Sequence, residues 1–267
     1  VQPAGVPFLA LVAAAIGPWA ADRWSWLHIS VALGCLAAGA AVVALVVLAD
    51  DRPEPGAPVT SRDLPDGFVW FPLGAFLLIA GSQPLYSWVV AYLEQTHEAS
   101  PGVAGGISAT ASGVGVVLMV LNALRSDRIG AEARGRRLVV LLALNLVATL
   151  AVLAGATVGL ALVAVGTVVG IAAQLSAIGT MHAMVVDRAP ASVARATGWT
   201  MTGYYLGALF SPAAFGALAD VTETFAWSWA ATAVLIALAI PTWRRAAAVT
   251  IAAPTTRALG RGMEQTT

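Results

Sequence analysis

The chain contains no lysine and one cysteine, and charged residues fill only 10% of its 267 positions. Each scarcity excludes something. Without lysine there is no glycine-rich phosphate loop closed by lysine, so ATP-driven transport by this chain is not expected. The single Cys35 rules out an intrachain disulfide and a cysteine metal cluster. A formal net charge of zero gives no bulk attraction to nucleic acid. There is no His-x-x-His pair and no Gly-x-Ser-x-Gly elbow. The chain is therefore not expected to be an enzyme or to hold a metal or a cofactor. No basic segment precedes the first apolar run, which argues against a signal peptide. The chain is already apolar by Val6, and this abrupt start predicts further sequence upstream.

What is present is hydrophobic. A soluble domain usually carries about 25% charged residues; here the hydrophobic share is 59% and the mean hydropathy is +0.82. A spanning helix needs about 20 apolar residues. Eight runs meet that need, at 4–21, 27–49, 67–92, 101–124, 137–155, 157–186, 193–219 and 225–244. In hydrocarbon every backbone donor and acceptor must be satisfied internally, so the runs are predicted to be helices. The fold class is all-α membrane protein with eight transmembrane helices. Pro18, Pro84 and Pro212 fall inside spans, where kinks are tolerated and often line cavities.

The basic residues are all arginine, and thirteen of the fourteen fall on one side once the spans are laid out. Arg52 and Arg62 lie in one linker; Arg125, Arg128, Arg134, Arg136 and Arg137 in or beside another. Arg188 and Arg195 flank a third, and Arg244, Arg245, Arg257 and Arg261 close the chain. Only Arg23 lies opposite. The positive-inside rule makes the Arg-rich side cytoplasmic. The expected location is the cell membrane, multi-pass, with both ends of the chain in the cytoplasm. The longest linker, Ala49 to Asp66, holds four prolines and seven charged residues. It reads as a solvated tether between two helical bodies. Residues 1–49 then form the last two helices of a first bundle, 50–66 the cytoplasmic linker, 67–244 a complete six-helix bundle, and 245–267 a tail.

The chain also echoes itself. The first span ends Gly17-Pro18-Trp19-Ala20-Ala21-Asp22, followed by Trp24-Ser25-Trp26. The seventh ends with Pro212 to Asp220 and is followed by Trp227-Ser228-Trp229. Each is a proline-bearing helix, an Asp at its outer end, then Trp-Ser-Trp opening the next helix. Transporter folds are built from such structural repeats. Spans one and two then match spans seven and eight, and four helices of the first body are missing from the front. The tryptophans themselves fit an interfacial aromatic belt rather than a site.

In its order of elements the chain resembles the major facilitator superfamily. That family has two six-helix halves, a cytoplasmic linker between them and cytoplasmic ends; on this resemblance the chain is N-terminally incomplete and runs from helix five to helix twelve. Gly17-Pro18 resembles the turn late in helix five; Gly203, Gly207, Pro212, Gly216 and Asp220 resemble helix eleven and its exit. Ser126-Asp127-Arg128-Ile129-Gly130 with Arg136-Arg137 resembles the acidic-basic loop between helices eight and nine. Ala123 stands where that loop usually has a leading Gly, and Ala131 to Gly135 look inserted. The opening Gln2-Pro3-Ala4-Gly5 resembles the cyanate/nitroimidazole-type branch. The resemblance implies secondary active transport of a small solute by alternating access. It also implies a gate in which Asp127 pairs with Arg128 or Arg136. The plainer reading of those arginines is topology and contact with anionic lipid.

None of the spans carries a central Asp, Glu or Arg. A proton-coupled carrier generally needs a titratable group in the membrane. Such a group would be His182 or would lie in the missing helices; His182 otherwise is a structural histidine bonded to a neighbouring helix. Gln83, Tyr86 and Ser87 share one helical face beside Pro84. Gln174 lies near the middle of the sixth span. The substrate contacts are expected at Gln83, Tyr86 and Gln174, with Trp88 and Tyr204 as additions. The competing reading is ordinary interhelical hydrogen bonding, at about 1 kcal/mol each. Gly166/Gly170 and Gly203/Gly207 are small-xxx-small spacings that favour close helix packing. The partners expected are a small solute, the lipid bilayer and the missing helices. A chain lacking four helices is not expected to transport alone. The alternative function is a non-transporting membrane scaffold or partner protein.

Overall fold

A computed structural model describes residues 64–126, 128 and 130–249, with helical positions scattered between 27 and 43. The expectations for Pro18, the first Trp-Ser-Trp, Gln2 to Gly5, most of the linker, Asp127 and the tail beyond Val249 lie outside the described residues. Among the described residues from 64 onward, all regular structure is helical. The helices are α1 (Trp70–Ser82), α2 (Pro84–Ser87), α3 (Val89–His97), α4 (Pro101–Ser126), α5 (Ala131–Val158), α6 (Leu160–Arg188), α7 (Val193–Thr222) and α8 (Phe225–Ala247).

By length and apolar content α4, α5, α6 and α8 are each able to cross a membrane. The segment α1 to α3, bent by 52° between Ser87 and Val89, is long and apolar enough to be a fifth when its two arms are taken together. α7 has 30 residues but is less apolar, with threonines and two tyrosines in its first half. Pro84 loosens the helix one turn before the bend. Proline has no N–H and its ring crowds the carbonyl four residues earlier, so the helix opens there. Trp88, at φ −122° and ψ −13°, is the residue at which the axis turns.

Three predicted starts coincide with helix starts, at Pro101, Val193 and Phe225. The start of α5 does not. Ala131 to Gly135, read from sequence as an insertion in a loop, form its first turn. Ala and Glu are strong helix formers, Glu132 suits the positive N-terminal end, and Arg136 follows it by four residues.

α6 sits at the centre, with 61% of its apolar window buried, whereas α4 has 28%. α5 and α4 flank α6, and α1 packs between α7 and α8. α1 and α7 run parallel. Cβ atoms added at Gly203 and Gly207 would meet the backbone of Pro72 and of Phe76. These two positions need glycine because the backbones touch, as the spacing predicted. The core divides into two clusters. One gathers Phe71, Leu78, Leu138, Met181 and Trp243. The other gathers Leu85, Tyr92, Val152, Ile171, Phe215 and Trp229. Trp227 is exposed as a belt residue should be, but Trp229 turns inward and is 1% exposed against Tyr92 and Phe215. Cys35 is exposed.

Candidate functional site

Hydrocarbon leaves no water to satisfy polar side chains, so each intramembrane polar group shows its purpose by its partner. Many here are staples. Asn145 Nδ2 donates to the Gly170 carbonyl at 2.8 Å, joining α5 to α6. Asn122 Nδ2 donates to the Ser176 carbonyl and to Thr180 Oγ1, both at 3.1 Å, joining α4 to α6. The Tyr92 hydroxyl donates to the Val152 carbonyl at 3.1 Å, joining α3 to α5. Such bonds hold helices together.

Two of the residues singled out from sequence have no such partner. The Tyr86 hydroxyl and Gln174 Oε1 are both buried and neither makes a hydrogen bond. Tyr86 stands on α2, in the broken part of the first span. Gln174 stands on α6, one turn beyond Gly170, whose Cβ position meets Leu85 of α2. The two orphaned groups thus belong to facing helices. Tyr204, half-buried on α7, is within electrostatic reach of Tyr86 and packs edge-on to Tyr205 at 5.4 Å. Gln83 is half-buried at the junction of α1 and α2. Gln83 and Tyr86 therefore stand at the break in the first span with Gln174 on the helix facing it, while Tyr204 follows Gly203, whose Cβ position meets Pro72 near the start of α1.

Trp88 is engaged otherwise. Its Nε1 donates to the Pro212 carbonyl at 2.8 Å, and its ring lies 5.7 Å from Phe215, nearly parallel. It locks the bend to α7. His182 bonds to its own helix: Nδ1 lies 2.8 Å from the Ile178 carbonyl. A carbonyl only accepts, so Nδ1 is the donor in this bond.

At the Arg-rich end, Arg128 and Arg136 are exposed. The charge pair that does form there joins Arg134 and Asp187, which sequence reasoning missed. Arg134 Nη1 lies 2.6 Å from both carboxylate oxygens of Asp187, and Nε donates to the Ser126 carbonyl at 3.3 Å. The side chains are 16% and 20% exposed. This clamp ties the start of α5 to the end of α6 and to the end of α4. Arg188 Nη1 donates to the Val249 carbonyl at 2.8 Å, and the Arg245 guanidinium sits 4.8 Å over the Trp70 ring. A signal for the clamp existed. Arg134 and Asp187 lie within three residues of facing ends of two consecutive spans, 137–155 and 157–186, though Arg136 and Arg137 lie nearer still.

No curated protein matches the chain. A family model described as Major Facilitator Superfamily matches residues 72–261, more than half of the chain. That match joins the apolar helices in making this a multi-pass membrane protein concerned with transport. The chain belongs to the Major Facilitator Superfamily.

Proposed function

We propose that residues 67–244 act as one six-helix half of a secondary transporter that moves a small solute by alternating access. The observation that carries this reading is the pair of buried, unpartnered groups, Tyr86 hydroxyl and Gln174 Oε1, on facing helices at a broken span. Unpaired polar groups away from water are costly. A solute bearing both a donor and an acceptor would satisfy them in turn. No acidic or basic side chain stands at the centre of a span, which suits a neutral or weakly anionic solute. Residues 1–49 would contribute helices to the opposing half, 50–66 would tether the two, and the halves would rock about the solute. The Arg-rich face and both chain ends would face the cytoplasm of a cell membrane. The scaffold alternative calls for a closed interior with Gln83 and Gln174 paired to neighbours; the unpartnered Gln174 Oε1 supports the transport reading instead.

The test is gradient-driven uptake of a panel of small neutral and weakly acidic solutes by the full-length gene product in liposomes. Tyr86→Phe and Gln174→Leu should each lower uptake by about tenfold, the worth of one lost hydrogen bond to a bound solute. Uptake indifferent to both substitutions would refute the site. No gradient-dependent uptake of any solute would refute the function.

A further inference from the structure

α4 and α5 follow one another in sequence and scarcely touch; both lean on α6. Between them lies a cavity of about 410 Å³. Its walls are a stripe on α4 from Val114 to Arg125 and a stripe on α5 from Arg137 to Leu144, over a floor that includes Ala172 of α6. The lining is apolar except at one end, where Arg125 and Arg137 stand on opposite walls. Neither arginine has an ion-pair partner among the described residues, whereas Arg134 does. No acidic side chain lines the groove. Asn122 and Ser176, its only uncharged polar lining residues, are already bonded to each other through the Ser176 carbonyl. From Arg125 to Val114 the groove runs about 16 Å at 1.5 Å per residue. That is half of a ~30 Å hydrocarbon core, or one leaflet. The neighbouring cavity along α4 and α6, about 490 Å³ between Val103 and Val169, has no charged lining.

We propose that this groove binds one anionic phospholipid. The phosphate sits between Arg125 and Arg137, and one acyl chain lies along the groove toward Val114. Charge and shape select this occupant. A second apolar helix would leave two unpaired cations at its seam, and a zwitterionic lipid would bring its own cation to them. Tyr86 and Gln174 do not line this groove, and the proposal does not depend on what is transported.

Native mass spectrometry of the detergent-purified chain, titrated with phosphatidylglycerol or phosphatidylcholine of equal chain length, tests it. Phosphatidylglycerol should bind about tenfold more tightly, and the double variant Arg125→Ala/Arg137→Ala should erase that preference. Arg136→Ala, exposed on the neighbouring position, should leave it intact, and Arg125→Lys/Arg137→Lys should largely keep it. In the unaltered chain, a phosphatidylglycerol with a photoreactive acyl chain should label the Val114–Leu121 stretch. Equal binding of the two lipids would overturn the proposal. So would an Arg136→Ala effect as large as the double variant's, competition by glycerol phosphate without acyl chains, a dimer that excludes lipid, or labelling confined to other helices.

Discussion

Ser211 Oγ donates to the carbonyl of Ala80 at 2.5 Å, and that carbonyl is the one Pro84 deprives of its helical donor. The relationship has a counterpart about two turns further along the first span. Trp88 Nε1 donates to the carbonyl of Pro212. Two proline-bearing helices, α1–α2 and α7, each supply a side-chain donor to the other's backbone. The bend in the first span is thus held open by its neighbour. The orphaned Tyr86 hydroxyl lies within that bend.

Ser211→Ala should cost about 1 kcal/mol, since interhelical hydrogen bonds in membranes are worth about that much. In a Pro84→Ala background the same change should cost little, because residue 84 then supplies the helical N–H to Ala80. A double-mutant cycle on thermal denaturation of the purified chain measures the coupling. Additive effects would mean that Ser211 does not serve the proline.

This interlock was not readable from the chain. The prolines announced a kink, but Ser211 and Ala80 lie 131 residues apart, and spacing within a helix says nothing about partners on another. What depends on local pattern was readable: the apolar lengths, the start of α8 before its Trp-Ser-Trp, and the backbone contact at Gly203 and Gly207. The pairing of Arg134 with Asp187 was hidden because five arginines crowd Arg125 to Arg137, and sequence neighbours drew the pairing toward Asp127. Trp229 was misplaced because a belt and a core want the same residue at a helix start. Only the inward face, which seats Ser228 on the Phe215 carbonyl at 2.9 Å, separates them.

Gly216 predicts a steric coupling. A Cβ there would lie 2.5 Å from Trp88 Cζ2. Gly216→Ala should therefore destabilise the chain by about 1–3 kcal/mol, the range for overpacking. Trp88→Leu should relieve most of that added cost while losing the bond to Pro212. Melting curves of the two single variants and the double variant decide it. If Gly216→Ala costs as much without the indole as with it, the close contact is not what glycine is for.

Gln174 separates binding from packing by the sign of its stability effect. Its Oε1 is buried without a partner, so Gln174→Leu should hold or raise the melting temperature in detergent. Asn145→Leu removes a donor bonded to the Gly170 carbonyl and should lower stability by about 1 kcal/mol. A fall for Gln174→Leu as large as for Asn145→Leu would place Gln174 among the staples.

Arg134 and Asp187 should behave as a unit. Exposed pairs contribute up to about 1 kcal/mol, while breaking a buried pair costs about 3–5. With side chains 16% and 20% exposed, the cost of Arg134→Gln or Asp187→Asn should fall between, at about 2 kcal/mol. The double variant should cost less than the sum of the two, because neither leaves a charge alone. The same residues report on topology. If the Arg-rich end is cytoplasmic, Arg128→Cys in a Cys35→Ser chain should react with a membrane-impermeant maleimide only after cells are opened. Ser100→Cys, exposed just before α4 at the other end of that helix, should react in intact cells. The reverse pattern would turn the molecule over. The clamp would then close the outer face, and the arginine count would have misjudged the orientation of every span.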